Sequence, residues 1–304
     1  MPDSPISATP YEVLGVPSDA SNDELRSAYR RRLRETHPDT GGDAASFSAV
    51  QAAWERIGTP DERATYDRGH LRYADHSFTW APQDRHRPAD TRPRARSHGH
   101  PGGWRRERYL VLMREWIGRG EDLKDPYDPA LVRSAPRELR HILADALAEE
   151  STARTLADLG IGYTVWHDVS TGRPEDKLDH VVLGPTGLFA MLSEDYGSPI
   201  GVKKAEIVTP DRPDERPMHD LGQRAKVIAR AARVKFSALV IVVPDDELGE
   251  DLVVLGGIRG ATTAVVRESR LPGLMRDGIP GARIVGGTEL FDVRTRLQSA
   301  IRFV

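Results

Sequence analysis

The 304-residue chain is predicted to be a multidomain α plus α/β protein, with a small helical hairpin at its N-terminus and a mixed sheet flanked by helices in its C-terminal half. Three observations predict this. Residues 10–70 carry only short helical patterns, broken at Pro17, Pro38 and Gly41-Gly42. Between Ala81 and Arg108 lie eight arginines, three histidines and four prolines against three acids, with little apolar periodicity. Beyond residue 136, helical patterns alternate with short apolar runs that read as strands, as in a sheet covered by helices. The resulting division is 1–70 for the helical hairpin, 71–103 for a basic linker, 104–135 for a connecting helical segment and 136–304 for the α/β domain.

Composition narrows the function classes. The formal net charge is −3, so the whole molecule is not a polycation of the nucleic-acid-binding type. Cysteine is absent, which removes disulfides, thiolate metal sites and cysteine nucleophiles and agrees with a reducing cytoplasm. Residues 1–10 lack the layout of a signal peptide, and no run approaches the roughly 20 apolar residues of a membrane span. A cytoplasmic location is expected. Frequent Arg, Ala, Asp and Gly with scarce Lys suits a GC-rich bacterial genome.

The first elements follow from local signals. Tyr11 to Val16 is a short apolar stretch closed by Pro17. Ser21 precedes Glu24 by three residues, the spacing of a capping box. From Asn22 to Glu35, Leu25, Tyr29 and Leu33 form one apolar face, and Arg26, Arg30 and Arg34 form a separate basic stripe. Pro38 pushes His37 out of helical space and ends the pattern. Gly41-Gly42 is expected to keep the following loop open. A second amphipathic pattern carries Phe47, Val50, Ala53, Trp54 and Ile57. Two antiparallel helices with facing apolar stripes make a hairpin whose tip presents His37, Pro38 and Asp39 to solvent. A short further helix is expected from Pro60 to Arg68.

In this frame the sequence resembles the J-domain family, the DnaJ-like co-chaperones. The resemblance rests on Tyr11, Leu14-Gly15-Val16, Asp19-Ala20, Leu25, Ala28-Tyr29-Arg30, His37-Pro38-Asp39, Phe47, Ala53 and the run Pro60 to Asp67, about a fifth of the chain. It implies docking on a DnaK-type ATPase chaperone, with His37, Pro38 and Asp39 stimulating ATP hydrolysis and Arg26, Arg30 and Arg34 in the docking face. Trp54 departs from the usual tyrosine, and Gly58 weakens the end of its helix. Outside that frame the tripeptide alone reads as a turn. The arginine stripe reads equally as a docking face or a solvated one; aligned guanidinium groups suit an acidic partner and speed encounter.

The basic stretch over 71–103 reads as a disordered tether, with contact to nucleic acid through it and through Trp80 and Trp104 as the alternative. His98 and His100 lack the spacing and carboxylate company of metal ligands. Helical patterns follow over 104–118 and 136–159, the second ended by Gly160. Strands are expected around Tyr163 to Val169, Leu178 to Leu183, Leu188 to Leu192, Ile200 to Val208, Ser237 to Val243, Leu252 to Leu255 and Thr262 to Val266. A tight turn at Gly184-Pro185-Thr186-Gly187 joins the second and third. Leu221 to Val234 reads as an amphipathic helix with a basic outer face, and 271–277 and 288–302 as helices.

This order of elements resembles the nuclease-related domain, a relative of restriction-endonuclease-like PD-(D/E)XK folds. The residues that carry the resemblance are Glu149, His167-Asp168, Asp179-His180-Val181-Val182 with the following turn, and Gln223. The family cleaves phosphodiesters with an Asp, a Glu and a Lys around a hard cation such as Mg²⁺. Here Asp179 matches the Asp, but Leu192 and Glu194 stand where the acid-x-Lys pair belongs, and leucine cannot ligate a metal. Asp195, or Lys203 or Lys204 from the next strand, are conceivable replacements. The site is therefore expected to be degenerate, with no cofactor, and the domain to be a non-enzymatic adaptor for an unknown client or nucleic acid through 136–304. The alternative is a Mg²⁺-dependent nuclease or a nucleic-acid-binding protein that the J-domain delivers.

Overall fold

The computed structural model describes residues 4–75, 80, 93–118, 123–209 and 213–304. These fall into two compact units, one formed by the N-terminal helices and the other by most of the residues from 93 onward.

In the N-terminal unit, α1 (Pro10–Leu14) and α2 (Asn22–Thr36) both begin with a reciprocal capping box, Thr9 with Glu12 and Ser21 with Glu24. Each box satisfies two backbone donors that a helix start leaves orphaned. Then come α3 (Ala44–Ile57) and α4 (Pro60–Asp75). Tyr11, Leu14, Leu25, Val50, Ala53 and Ile57 form the core, so the stripes expected on α2 and α3 do face each other. Trp54 stacks flat on Tyr29, with ring centroids 4.4 Å apart. Arg63 of α4 clamps the unit. Its guanidinium donates to the Tyr11 hydroxyl at 3.0 Å, the Ala20 carbonyl at 2.6 Å and the Ser18 carbonyl at 2.9 Å. α4 runs seven residues beyond the expected end at Arg68.

The second unit is a three-layer α/β/α arrangement. Its elements are β1 (Arg96–His98), α5 (Gly103–Ile117), α6 (Pro129–Ser134), α7 (Arg137–Ala157), β2 (Thr164–Val169), β3 (Leu178–Gly184), β4 (Gly187–Ser193), β5 (Gly201–Lys203), β6 (Glu206–Val208), α8 (Pro217–Ala232), β7 (Ala238–Val243), β8 (Leu252–Ile258), β9 (Ala261–Arg267), α9 (Leu271–Asp277) and α10 (Thr288–Ala300). Seven strands form one mixed sheet in the order β1-β2-β3-β4-β7-β9-β8. The β1/β2, β4/β7 and β7/β9 pairs are parallel and the rest antiparallel. α8 and α10 cover one face through Leu221, Ala225, Ile228, Val293 and Leu297. Leu156 of α7 and Leu271, Leu274 and Met275 of α9 cover the other.

Three sequence expectations need correction. The linker expected over 71–103 is bounded differently: α4 reaches Asp75 and β1 already belongs to the sheet, while the tether expected at 81–92 lies outside the described residues. The segment 104–135 is not a mere connector, since α5 packs along α7 within the sheet unit. The strand expected over 200–208 is a separate hairpin, β5 paired with β6, turning at Lys204 and Ala205 with φ of +52° and +62°.

Among the described residues no helix is long and apolar enough to cross a membrane.

Candidate functional site

The N-terminal tripeptide is held in a closed turn. α2 stops because His37 is extended (φ −63°, ψ 130°), as a residue before proline must be. Pro38–Thr40 makes one 3₁₀ turn, and the His37 ring nitrogen Nδ1 accepts the Asp39 amide at 3.2 Å. The Gly41 amide returns to the Pro38 carbonyl at 3.1 Å and the Gly42 amide to that of His37 at 3.0 Å. A Cβ on Gly42 would stand 2.2 Å from the Thr36 carbonyl carbon, so only glycine closes the turn. The two glycines thus tighten the loop instead of keeping it open. The edge of the His37 ring meets Phe47 of α3, with centroids 5.1 Å apart. The Asp39 carboxylate is left at the tip, with its side chain 89 % exposed. Arg26, Arg30 and Arg34 are exposed along α2, in the stripe their spacing predicts.

The sheet unit buries an ion cluster at the point where α5, α7, β2, β3 and β4 meet. The Lys177 ammonium lies 2.6 Å from Glu149 Oε1, 2.6 Å from Asp179 Oδ1 and 2.7 Å from Asp168 Oδ1. Arg105 of α5 reaches Glu149, Asp145 at 2.6 Å, Glu194 at 3.4 Å and Asp179 at 3.5 Å. Glu149 also accepts the Gly102 amide at 2.9 Å, and Asp179 the Ser193 amide at 2.8 Å. Burial alone would neutralise Asp179, but the Lys177 and Arg105 charges outweigh it and hold the carboxyl well below the usual range. Lys177 is likewise held above its ordinary value, with Asp179 and Glu149 overcoming burial. Glu149 is pushed up to about 8 by burial and by Asp179, against the two cations.

Of the residues expected at a degenerate nuclease site, Glu149, Asp179 and Glu194 are brought together and two are not. Leu192 points into the core shared with α8, because β4 alternates its side chains between the two faces. Gln223 sits on the exposed side of α8, its amide 3.4 Å from His219 Nε2, because Leu221 and Ala225 turn the opposite side of that helix to the sheet. Lys203 and Lys204, the conceivable replacements from the next strand, are exposed at the tip of the small hairpin. The lysine that does enter is Lys177, where it meets Asp168, a residue the resemblance had named. Lys177, Arg105 and Asp145 are the members that sequence reasoning missed. A hard cation does not fit this arrangement: the carboxylate oxygens that would ligate it converge on an ammonium and a guanidinium. Among the described residues no group of three or more histidine or acidic side chains is arranged to hold a metal ion.

A chain of hydrogen bonds, part-buried at Ser97 and buried beyond it, borders the cluster. Ser97 Oγ meets His167 Nε2 at 2.8 Å, the two Nδ1 atoms of His167 and His180 lie 2.7 Å apart, and His180 Nε2 is 3.1 Å from Ser193 Oγ. Burial, with the Lys177 charge, depresses His167 to about 4. Burial with His167 alongside holds His180 well below its ordinary value. Both rings are neutral at neutral pH, so one Nδ1 donates and the other accepts.

Nearby, Asp195 and Glu247 form a carboxyl pair in which the Gly197 amide donates to Asp195 at 3.0 Å and to Glu247 at 2.5 Å. Burial and the neighbouring Asp195 push Glu247 up to about 10. The folded state therefore keeps a proton that the unfolded chain releases near 4.5. The stability linked to it is present at low pH and is lost as pH rises through the folded value. Glu247→Gln, which can still donate to Asp195, is expected to raise Tm at pH 9 by several degrees and to flatten its decline between pH 6 and pH 9. Thermal melts of parent and variant that fall in parallel with pH would assign the titration elsewhere.

Residues 9–67 match the family model described as the DnaJ domain. "Chaperone protein dnaJ A6" of Oryza sativa subsp. japonica is 48% identical over 58 residues, which is 19% of this chain and 14% of that protein. "Chaperone protein DnaJ" of Dictyoglomus thermophilum is 40% identical over 80 residues, 24% of this chain and 20% of that protein. "Chaperone protein DnaJ" of Tropheryma whipplei is 51% identical over 59 residues, 19% of this chain and 17% of that protein. The matches span at most a fifth of these relatives. No solved structure matches the chain.

Proposed function

Proceeding from a J-domain at residues 9–67, we propose that this chain is a cytoplasmic co-chaperone that recruits a DnaK-type chaperone and stimulates its ATP hydrolysis. The observation that carries the reading is the rigidly closed turn that exposes His37-Pro38-Asp39 beside the arginine stripe of α2. In this reading the tripeptide acts on the chaperone and Arg26, Arg30 and Arg34 steer it in. The C-terminal unit is a cofactor-free, non-catalytic adaptor that sets where the chaperone is delivered. The test is single-turnover ATP hydrolysis by a DnaK-type chaperone with the full chain added. Stimulation supports the reading, and an unchanged rate at saturating protein overturns it.

The stripe has a separate signature. Exposed cations govern encounter more than residence. Charge reversal of Arg26, Arg30 and Arg34 to Glu is expected to cut the association rate about tenfold or more at low salt, with the difference shrinking as the Debye length falls to roughly 3 Å near 1 M salt. Equal association rates for parent and variant at low salt would make the stripe a solvated face.

The second reading is a metal-dependent nuclease of restriction-endonuclease-like fold. The order α7, β2, β3, β4, α8, β7 and the adjacency of Glu149 and Asp179 favour it. The replacement of the acid-x-Lys pair by Leu192 and Glu194 weighs against it, as does the ammonium at the centre of the carboxylates. Cleavage of a plasmid in the presence of Mg²⁺, lost in Asp179→Ala, would restore it.

A further inference from the structure

The helix α8 turns its apolar residues Met218, Leu221, Ala225 and Ile228 into the sheet. Its outer side carries His219, Gln223, Lys226, Arg230 and, at its C-cap, Arg233, spaced three or four residues apart and so aligned over about 20 Å of helix. The single acid of α8 is Asp220, in its first turn. A second element adds to the ridge. Gly222 lets Ile258 of β8 close on α8, since a Cβ there would stand 3.2 Å from the Ile258 Cγ2. That approach seats the β8–β9 turn, where Arg259 has φ +54°, against the helix. Lys226 feels Arg259 and Arg230 as its principal charged neighbours, and their repulsion lowers its pKa. At the far end, Arg296 of α10 donates to the Arg233 carbonyl at 3.2 Å. Among the described residues none of Lys226, Arg230, Arg233, Arg259 and Arg296 is paired with a carboxylate. Like charges gathered on rigid elements without counter-ions cost stability, and an external polyanion repays that cost.

We infer that the outer face of α8, with the β8–β9 turn, binds the phosphate backbone of double-stranded nucleic acid. The chemistry of the surface separates this partner from the others. A protein interface needs an apolar centre, and Val227 is the one large apolar side chain exposed on this helix. A membrane-surface helix inserts its apolar face, and that of α8 is committed to the core. Single strands are held by stacking on aromatic side chains, and α8 carries none. What remains is a run of cations, Lys226, Arg230 and Arg233, continued toward the helix N-terminus by hydrogen-bonding Gln223 and His219, suited to positioning on a duplex backbone without reading its sequence. The inference does not depend on the co-chaperone reading, and its test requires no chaperone.

The test is fluorescence anisotropy of the full chain with a labelled 20-base-pair DNA duplex, titrated from 50 to 200 mM KCl. About four phosphate contacts give a log–log salt slope of roughly −3.6 and a weakening of about 100-fold over that range. The exposed triple variant Lys226→Ala, Arg230→Ala, Arg259→Ala is expected to bring the slope to about −1 and to weaken binding at 50 mM at least tenfold. In a control, Arg85, Arg87 and Arg92 are replaced by Ala, and binding should be retained. Three results would overturn the inference: no binding at 50 mM; binding that survives the triple variant but is lost in the control; or tighter binding to phosphatidylserine vesicles than to the duplex.

Discussion

Asp39→Asn is expected to abolish stimulation of the partner ATPase while leaving the J-domain folded. The change is nearly isosteric and removes one charge. Within the chain the Asp39 carboxylate has little to do: it is exposed and lies 3.7 Å from His37 Nδ1. The backbone contact that shapes the turn, from the Asp39 amide to His37 Nδ1, uses no side-chain atom of Asp39. Surface substitutions of this kind move stability by about 0.5 kcal/mol or less. On the partner the effect is large. Removing a charge that is buried and hydrogen-bonded in a complex costs about 2–5 kcal/mol, a factor of roughly 30 or more. Circular dichroism and Tm should match the parent while the ATPase rate returns to its unstimulated value. Retained stimulation would place the activating contact outside the tripeptide.

The N-terminal unit was legible because its determinants are local. The capping box at Ser21 and Glu24, the four-residue spacing of Leu25, Tyr29 and Leu33, and the proline after His37 each act within a turn or two of helix. What escaped is contact between distant atoms. Gly41-Gly42 reads as a flexible pair, and only the approach of Gly42 to the Thr36 backbone makes it a closure.

The main strands were legible as apolar runs, because both faces of the sheet are covered and β2, β3, β4 and β7 are buried throughout. β1 was not. Its three exposed residues, Arg96, Ser97 and His98, carry no apolar alternation and are held by backbone pairing to β2. The β5–β6 hairpin hid behind a turn of Lys204 and Ala205, where positive φ is ordinarily marked by Gly or Asn. The cluster was half visible. Glu149, Asp168 and Asp179 carry the resemblance and Glu194 stands where the resemblance calls for a lysine, whereas Arg105 arrives from a helix 74 residues before Asp179. Lys177, two residues before Asp179, had a signal available in the charge alternation Lys177-Leu178-Asp179 at the start of β3. A lysine there reads as a solvated strand end until its burial is known.

That buried lysine is where the sheet unit is most vulnerable. Lys177→Met is expected to lower the stability of the unit by about 3–5 kcal/mol, the cost of breaking a buried ion pair by removing one partner. For a unit of this size that corresponds to a fall in Tm of roughly 10 °C. Methionine fills most of the volume, so packing changes little and the loss is electrostatic. Glu149, Asp168 and Asp179 would face one another with Arg105 as the remaining cation, and Arg105 touches only the first and last of them. Their folded-state pKa values must then rise. A carboxyl raised in the folded state favours that state at low pH and loses the advantage as pH rises through the folded value. The penalty of the substitution should therefore be larger at pH 8 than at pH 5. Paired melts of parent and variant at the two pH values check both magnitude and sign. A deficit that is independent of pH would mean that Lys177 contributes packing and not charge. Adding Asp179→Leu to the variant should recover part of the loss, because the double change removes both ends of the pair and leaves no carboxylate at that position to desolvate. Recovery would identify the cluster as a set of mutually dependent charges in which Lys177 holds the place that an external cation would otherwise need to fill.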